Sequence, residues 1–363
     1  MGRSGYKKKG AFGTMKENTP ARKSRAIDLY RYLFAIFICT LHFKEYYGDP
    51  YPFGGAYLGV EFFLILAGFF QMKHICTHAA DGLPEEHIAG YFWSRVKRLY
   101  PQYAVGLAFY YIYRLFVTHT ITVKQALIDF LPEWGMIQIL GFGKWLNAAM
   151  WYVSAMLFAS LVIYYFAVKN RKKFLYVLAP AALLLIYSWF YQKNHGLGGI
   201  GLNTRTLLIC DGFWRALAGM LLGCLVYAAY DAYHEWIASH GRALRTVLEC
   251  VILALICIKF YRAGNTVADF TAVALMALLV LSVTSGGSYL TAVLDRIPVS
   301  GKYAYAMYCN HWTINYIIKE YFPGHSFYPT LAVYLCIVLA LSVLTVFVIE
   351  RAGAAIRRRT LRP

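Results

Sequence analysis

Ten apolar stretches, each close to the roughly 20 residues that cross a bilayer as an α-helix, take up most of this chain. They lie at about 27–46, 56–76, 99–118, 149–168, 173–191, 208–230, 243–261, 265–284, 301–320 and 328–350. No other feature restricts the fold so strongly. Inside hydrocarbon every backbone N–H and C=O must be bonded within its own segment, so runs of this length are helices. The expected architecture is all-α, a polytopic membrane helical bundle of about ten transmembrane helices. Composition agrees, with 59% hydrophobic and 15% charged residues and a mean hydropathy of +0.47, too apolar for a soluble chain of 363 residues.

The net charge of +18 is distributed as topology rather than as a binding domain. With both termini placed in the cytoplasm, 25 Lys and Arg fall on the inner side and eight on the outer, as the positive-inside rule requires. Arg31, Arg114 and Arg215 fall within spans. Without a basic domain there is no nucleic-acid footprint. Residues 1–24, with Lys7, Lys8, Lys9, Arg22 and Lys23, read as a disordered basic cytoplasmic tail able to touch anionic lipid headgroups. The helix after it is too long and lacks the cleavage site of a signal peptide, so the tail is expected to be retained. A transmembrane domain over 25–350 and a second basic tail over 351–363 complete the division. The eight cysteines form no C-x-x-C pair, and neither a disulfide framework nor a zinc site is indicated. A multi-pass membrane protein is expected.

Two segments break the simple pattern. PEEHIAGYFWSRVKRLYP at 84–101 reads as a short interfacial helix on the cytoplasmic side, ending at its proline. The piece from 119 to 148 is too short and interrupted to span, and fits an external lid or a re-entrant segment. HGLGGIG at 195–201 superficially resembles a phosphate loop, but follows a helix on the outer side rather than a strand and is read as a plain loop.

Ionisable residues inside a membrane are costly and by default point to function. In SRAIDLYRYLFAIFICTLHF, the first helix, Arg31 and His42 are eleven residues apart, roughly 1100° of rotation, so they share a face about 16 Å apart in depth. His42 lies near the outer end of that helix and Glu61 at similar depth in the next. A carboxylate there can orient the imidazole as a general base; the alternative is a histidine bonded to backbone and an interfacial glutamate. Arg31 can pair with Asp28 at i, i+3, or join Lys73, Arg95 and Arg98 in a positive mouth for a phosphorylated cofactor from the cytoplasm. His311 sits mid-span beside Asn310 and Trp312, either as a buried core histidine or as a working one. His74 and His78 have i, i+4 spacing but no third metal ligand. Tyr46, Tyr47, Tyr51, Phe53 and Tyr57 crowd the first outer loop, as an aromatic belt or as a platform for sugar.

Taken in order, these segments resemble the integral-membrane acyltransferase family three, whose members include bacterial polysaccharide and peptidoglycan O-acetyltransferases. IDLYRYLFAIFICTLHF is similar to the family's first-helix R-x10-H pattern, with Arg31 and His42, and LGVEFFLILAGFF at 58–70 to its G-V-D-x-F-F-x-x-S-G-F signature. SRVKRLYP matches R-x-x-R-x-x-P at Arg95, Arg98 and Pro101, and AYAMYCNHW the late helix that ends in His311. WYVSAML at 151–157 is a weaker fifth match. The likeness covers essentially all of 24–350. Glu61 stands for the commoner aspartate, Ala67 for a frequent serine and Ser94 for a frequent arginine. No esterase-like domain is expected after the last span.

The resemblance implies transfer of an acyl group, most often acetyl, from cytoplasmic acyl-CoA to a hydroxyl of an extracytoplasmic carbohydrate or lipid-linked glycan, without a metal. Arg31, Lys73, Arg95 and Arg98 would bind the donor, acyl-CoA and in particular acetyl-CoA. His42 would act as general base with Glu61 orienting it, and His311 would assist. A covalent acyl-histidine step stays open. The alternative class is a secondary transporter of a small polar or anionic solute, which should show two related halves with broken helices.

Overall fold

The computed structural model describes residues 24–48, 51–78, 86–142, 146–206, 208–262 and 264–360. The basic N-terminal tail, apart from Ser24, lies outside these residues. In order the chain forms α1 (Arg25–Tyr47), α2 (Gly59–His78), α3 (Glu86–Ile112), α4 (Val123–Trp134), α5 (Trp151–Lys169), α6 (Arg171–Lys173), α7 (Ala179–Asn194), a two-stranded ribbon of β1 (Arg205–Thr206) and β2 (Ile209–Cys210), α8 (Asp211–Ser239), α9 (Arg242–Tyr261), α10 (Ala268–Ser285), α11 (Tyr289–Leu294), α12 (Lys302–Tyr321) and α13 (Phe327–Thr360). The strands run antiparallel, pairing Arg205 with Cys210 and Thr206 with Ile209. A π-helical turn, Phe174–Leu178, joins α6 to α7, and the first part of the basic C-terminal tail simply continues α13.

Among the described residues seven helical stretches are long and apolar enough to cross a membrane: Arg25–Tyr47, Ala56–His78, Ala148–Lys169, Arg171–Asn194, Asp211–Ser239, Ala268–Ser285 and Phe327–Ala355. The molecule is an all-α, multi-pass membrane protein. Helices α3, α9 and α12 have spanning length, at 27, 20 and 20 residues, but carry more charge and polarity. In α9, Arg245 and Glu249 are buried while Leu244, Val247, Leu248, Val251, Leu255 and Ile258 are exposed, the reverse of a soluble helix and the pattern of one facing lipid.

At the centre α2 packs on α8, with α5 and α10 beside them. The crossing of α2 and α8 is close because glycines sit in it. A Cβ on Gly68 would lie 1.9 Å from the Met220 carbonyl oxygen, and one on Gly223 2.1 Å from that of Ile65, as in small-residue packing of membrane helices. To one side α1 packs on α12, which is backed by α13 and α3. The N-terminus of α1 is closed from a distance: Asp295 Oδ1 accepts from Ser24 Oγ at 3.0 Å and from the Ala26 N–H at 2.8 Å. A carboxylate is well placed at that end of the helix dipole.

The segment expected as a short interfacial helix over 84–101 is instead the first half of α3, which runs on past Pro101. Proline removes one backbone bond, but Pro101 and Lys97, whose carbonyl loses its partner, are exposed. The freed oxygen can meet water or headgroups, so the helix need not end there.

The interrupted segment after α3 folds into α4, opened by a capping box in which Thr122 and Gln125 bond reciprocally. Twelve residues make a rod of about 18 Å, too short to span. Its polarity is inverted: Val123, Leu127, Ile128 and Leu131 are exposed while Asp129 and Glu133 are buried, as expected for a helix lying at the lipid interface. Glu133 accepts from Tyr111 Oη at 2.7 Å and from the Asn147 N–H at 2.7 Å. Burial nevertheless raises its carboxyl from the ordinary 4.5 to about 7, with Asp129 adding to the rise. A raised carboxyl favours the fold fully below its unfolded value, and that contribution is lost as pH rises through about 7. Amide protection in α4 is therefore expected to be higher near pH 5 than near pH 8, and Glu133→Gln to abolish the difference, as read by hydrogen exchange with mass spectrometry.

Candidate functional site

Arg31, Lys73, Arg95 and Arg98 come from three helices, yet all four line one cavity of about 960 Å³. Ligand sites commonly occupy roughly 300–1,000 Å³. Lys302 and His74 join the same wall, and Asp28 is its sole carboxylate. Arg31 Nη1 donates to that carboxylate at 2.7 Å, so Arg31 is paired with Asp28 and also lines the cavity. Among the described residues the wall holds no carboxylate for Lys73, Arg95 and Arg98, while Lys302 pairs with Glu350 outside it at 2.6 Å; such a surplus of cations in a cleft attracts anions. Beyond the basic mouth the lining turns apolar through Val60, Phe63, Leu66, Ala67 and Met156 to Tyr152 and Tyr308. Ala67 and Ser94 both line it, so a hydroxyl and a guanidinium expected from the resemblance are absent from this wall.

Tyr308 closes the inner end. Its hydroxyl donates to the Ala149 carbonyl, and its ring lies 5.4 Å from that of Tyr152. On its far side, 5.5 Å ring to ring, is His311, and His311 stacks on His42 with centroids 5.3 Å apart. The two histidines thus meet across the α1–α12 contact. Trp312 stands edge-on to His42 at 4.9 Å, and Asn315 Nδ2 donates to the His42 carbonyl at 2.8 Å.

Hydrogen bonds fix which nitrogen carries the proton in each neutral ring. His42 Nδ1 lies 3.0 Å from Glu45 Oε2; an ionised carboxylate only accepts, so Nδ1 carries the proton and Nε2 keeps its lone pair. His311 Nδ1 lies 2.6 Å from the Tyr308 carbonyl, which likewise leaves Nε2 as the acceptor. That Nε2 is buried without a partner among the described residues. His311 is 0% exposed and the His42 side chain 22%, so His42 is the one reached from solvent. Beside it, Leu41, Lys44, Glu45, Gly48, Gly54, Tyr57 and Gly199 line a second, smaller cavity of about 320 Å³.

Glu61 is not where depth alone put it. It is fully buried and accepts from Arg215 Nε at 2.6 Å; among the described residues no hydrogen bond joins it to His42. Arg215 also donates to the Ile200 carbonyl at 3.0 Å and to that of Tyr57 at 2.9 Å. Glu61 faces α8 because that helix carries the compensating cation, whereas His42 faces α12. The partner of His42 is Glu45, one turn along the same helix, a spacing legible in the sequence. The HGLGGIG run is a loop held by Asp269 and Asn265, which accept from the Leu197 and Gly198 N–H groups at 2.8 and 2.7 Å. Tyr51 is covered by Phe327 at 4.2 Å, so its face is packed rather than offered to sugar. His74 and His78 stack on each other at 4.7 Å, and among the described residues no group of three or more His, Cys, Asp or Glu could hold a metal.

A family model described as an acyltransferase domain matches residues 24–351. No curated protein and no solved structure matches the chain.

If the Glu61–Arg215 pair is structural, Arg215→Met leaves a buried carboxylate uncompensated and is expected to cost about 3–5 kcal/mol, whereas Glu61→Leu combined with Arg215→Met recovers most of it. Thermal unfolding of the purified variants in detergent measures both.

Proposed function

The chain belongs to the acyltransferase 3 family, a premise that makes it a membrane acyltransferase, and we propose that it moves an acyl group, acetyl foremost, from cytoplasmic acyl-CoA to a hydroxyl of an extracytoplasmic glycan or lipid-linked sugar. The observation that carries this is the single cavity in which four cations from α1, α2 and α3 form a mouth whose apolar throat ends one aromatic ring short of a histidine pair. Family membership decides against the transporter. In the proposed orientation ten helices span a bacterial plasma membrane, with both chain ends and the basic mouth in the cytoplasm and Glu45 toward the outside.

The donor's phosphates meet Arg95, Arg98 and Lys73, for which cationic donors are suited. Its uncharged arm follows the apolar throat past Arg31 to Tyr308, and displacement of that ring brings the thioester to the histidines. His42 Nε2 takes the proton of the acceptor hydroxyl while the oxygen attacks the thioester carbonyl. The C–O bond forms, the C–S bond breaks, and the leaving thiolate takes the proton from the imidazolium. Glu45 holds His42 in the required tautomer and balances the imidazolium charge, the part earlier expected of Glu61. His311, buried and neutral with its own free lone pair, helps hold the acceptor.

Removing a general base costs on the order of 10²–10⁴ in rate, so His42→Ala, purified at normal yield, is expected to lower kcat by that range in acetyl transfer from labelled acetyl-CoA, and to erase the acetyl mass from surface glycan of the producing strain. Glu45→Gln should lower kcat by roughly 10- to 100-fold with donor binding intact, while Glu61→Gln should chiefly lower stability. Arg98→Ala removes one charge-assisted contact, about 1.5–3 kcal/mol or roughly 10- to 100-fold in the Kd for CoA, measurable by calorimetry. Wild-type kcat in His42→Ala would sink the assignment.

A further inference from the structure

On α12 the residues Tyr308, His311, Trp312, Asn315, Tyr316 and Lys319 recur at i, i+3, i+4, i+7, i+8 and i+11 and form one stripe. It starts at the closed end of the cationic cavity and runs outward past His42. Along it several polar atoms are buried without a hydrogen-bond partner among the described residues: His311 Nε2, Trp312 Nε1 and Asn315 Oδ1. Orphaned buried polar atoms are rare and costly, and three grouped around one functional ring are better explained by a ligand or ordered water than by packing. Their neighbourhood is set by the contacts of His42, whose ring meets those of His311 at 5.3 Å and Trp312 at 4.9 Å and whose carbonyl takes the Asn315 amide.

The chemical sense of these atoms selects the ligand. Of these four atoms His42 Nε2, His311 Nε2 and Asn315 Oδ1 accept and the Trp312 N–H donates, while the cation of the stripe, Lys319, is turned to the Tyr46 ring at 5.4 Å. Neighbouring lone pairs call for O–H or N–H groups and repel a carboxylate or phosphate, which bring only acceptors. A pyranose with adjacent hydroxyls satisfies them, since each hydroxyl both donates and accepts.

We propose that Trp312, Asn315 and His311 form the acceptor subsite, which takes a neutral sugar through vicinal hydroxyls and excludes an anionic one. The hydroxyl to be acylated donates to His42 Nε2 and its neighbour to His311 Nε2 or Asn315 Oδ1, while Trp312 Nε1–H donates to a sugar oxygen. Transfer then breaks the thioester C–S bond, forms the ester C–O bond and passes the hydroxyl proton through His42 to the thiolate. This rests on the acyltransferase reading above and adds the acceptor class and the residues that choose it.

The full chain in phospholipid nanodiscs, given acetyl-CoA and either methyl α-D-glucopyranoside or the corresponding methyl glucuronide as probe, tests it. Acetylation of the glucoside is expected to exceed that of the glucuronide at least about tenfold. Trp312→Phe, which keeps a ring and removes only the N–H, and Asn315→Leu should each raise the glucoside KM about tenfold, the cost of one lost hydrogen bond. The acetyl-CoA KM should stay within about twofold, which also reports that the variants are folded. Equal use of the two probes, an unshifted glucoside KM in both variants, or hydrolysis of acetyl-CoA with neither glycoside acetylated would overturn the subsite. Failure of the wild-type chain to bind acetyl-CoA at all would instead remove the acyltransferase reading beneath it.

Discussion

The buried ion pair of Glu61 and Arg215 is the contact on which the rest of this bundle leans. An unpaired charge in the middle of a membrane protein costs several kcal/mol, so each group needs the other, and Arg215 spends its remaining donors on the carbonyls of Ile200 and Tyr57. One side chain on α8 thus holds α2, the turn before α2 and the glycine loop after α7. Gly219 makes the arrangement possible: a Cβ there would lie 2.8 Å from that of Leu64 and 3.0 Å from Glu61 Oε2. With α2 locked in rotation, Ala67, Phe70 and Lys73 point into the cationic cavity.

That locking explains which parts of the site could be read from the sequence. Helix positions followed from hydropathy because the bilayer sets one length. The four cations fell together because Arg31 near the start of α1, Lys73 near the end of α2 and Arg95 and Arg98 in the first half of α3 lie at one depth, where depth is nearly the whole answer. Glu61 and His42 also share a depth, but depth leaves the direction around each helix axis undetermined. What decides it is a cation on α8 for one and an aromatic stripe on α12 for the other, partners 154 and about 270 residues away in sequence. Glu45 needed no such long-range knowledge, since a carboxylate one turn from a histidine is a local signal. Pro101 misled for the opposite reason, because a helix breaker on an exposed face does not break the helix.

The two cavities differ in chemistry as well as position. The larger combines a mouth rich in cations with an apolar throat, which suits a molecule with a charged head and a neutral tail. The smaller, beside Glu45, offers one carboxylate and one ammonium group and several glycines. Between the larger cavity and the His42 ring α12 presents Tyr308 and, one turn on, His311.

Tyr308 has a further consequence. Where two wet cavities approach each other inside a membrane, the transmembrane voltage no longer falls evenly over the bilayer but concentrates across the thin septum that separates them. Each elementary charge crossing such a septum carries about 2.3 kcal/mol per 100 mV. In the proposed reaction the hydroxyl proton passes inward to the thiolate while the acyl group passes outward, and hydroxyl, thioester, ester and thiol are all neutral, so the completed transfer moves no net charge across that septum. The membrane potential therefore leaves the equilibrium of the proposed transfer unchanged and acts only on a transient charge such as the His42 imidazolium.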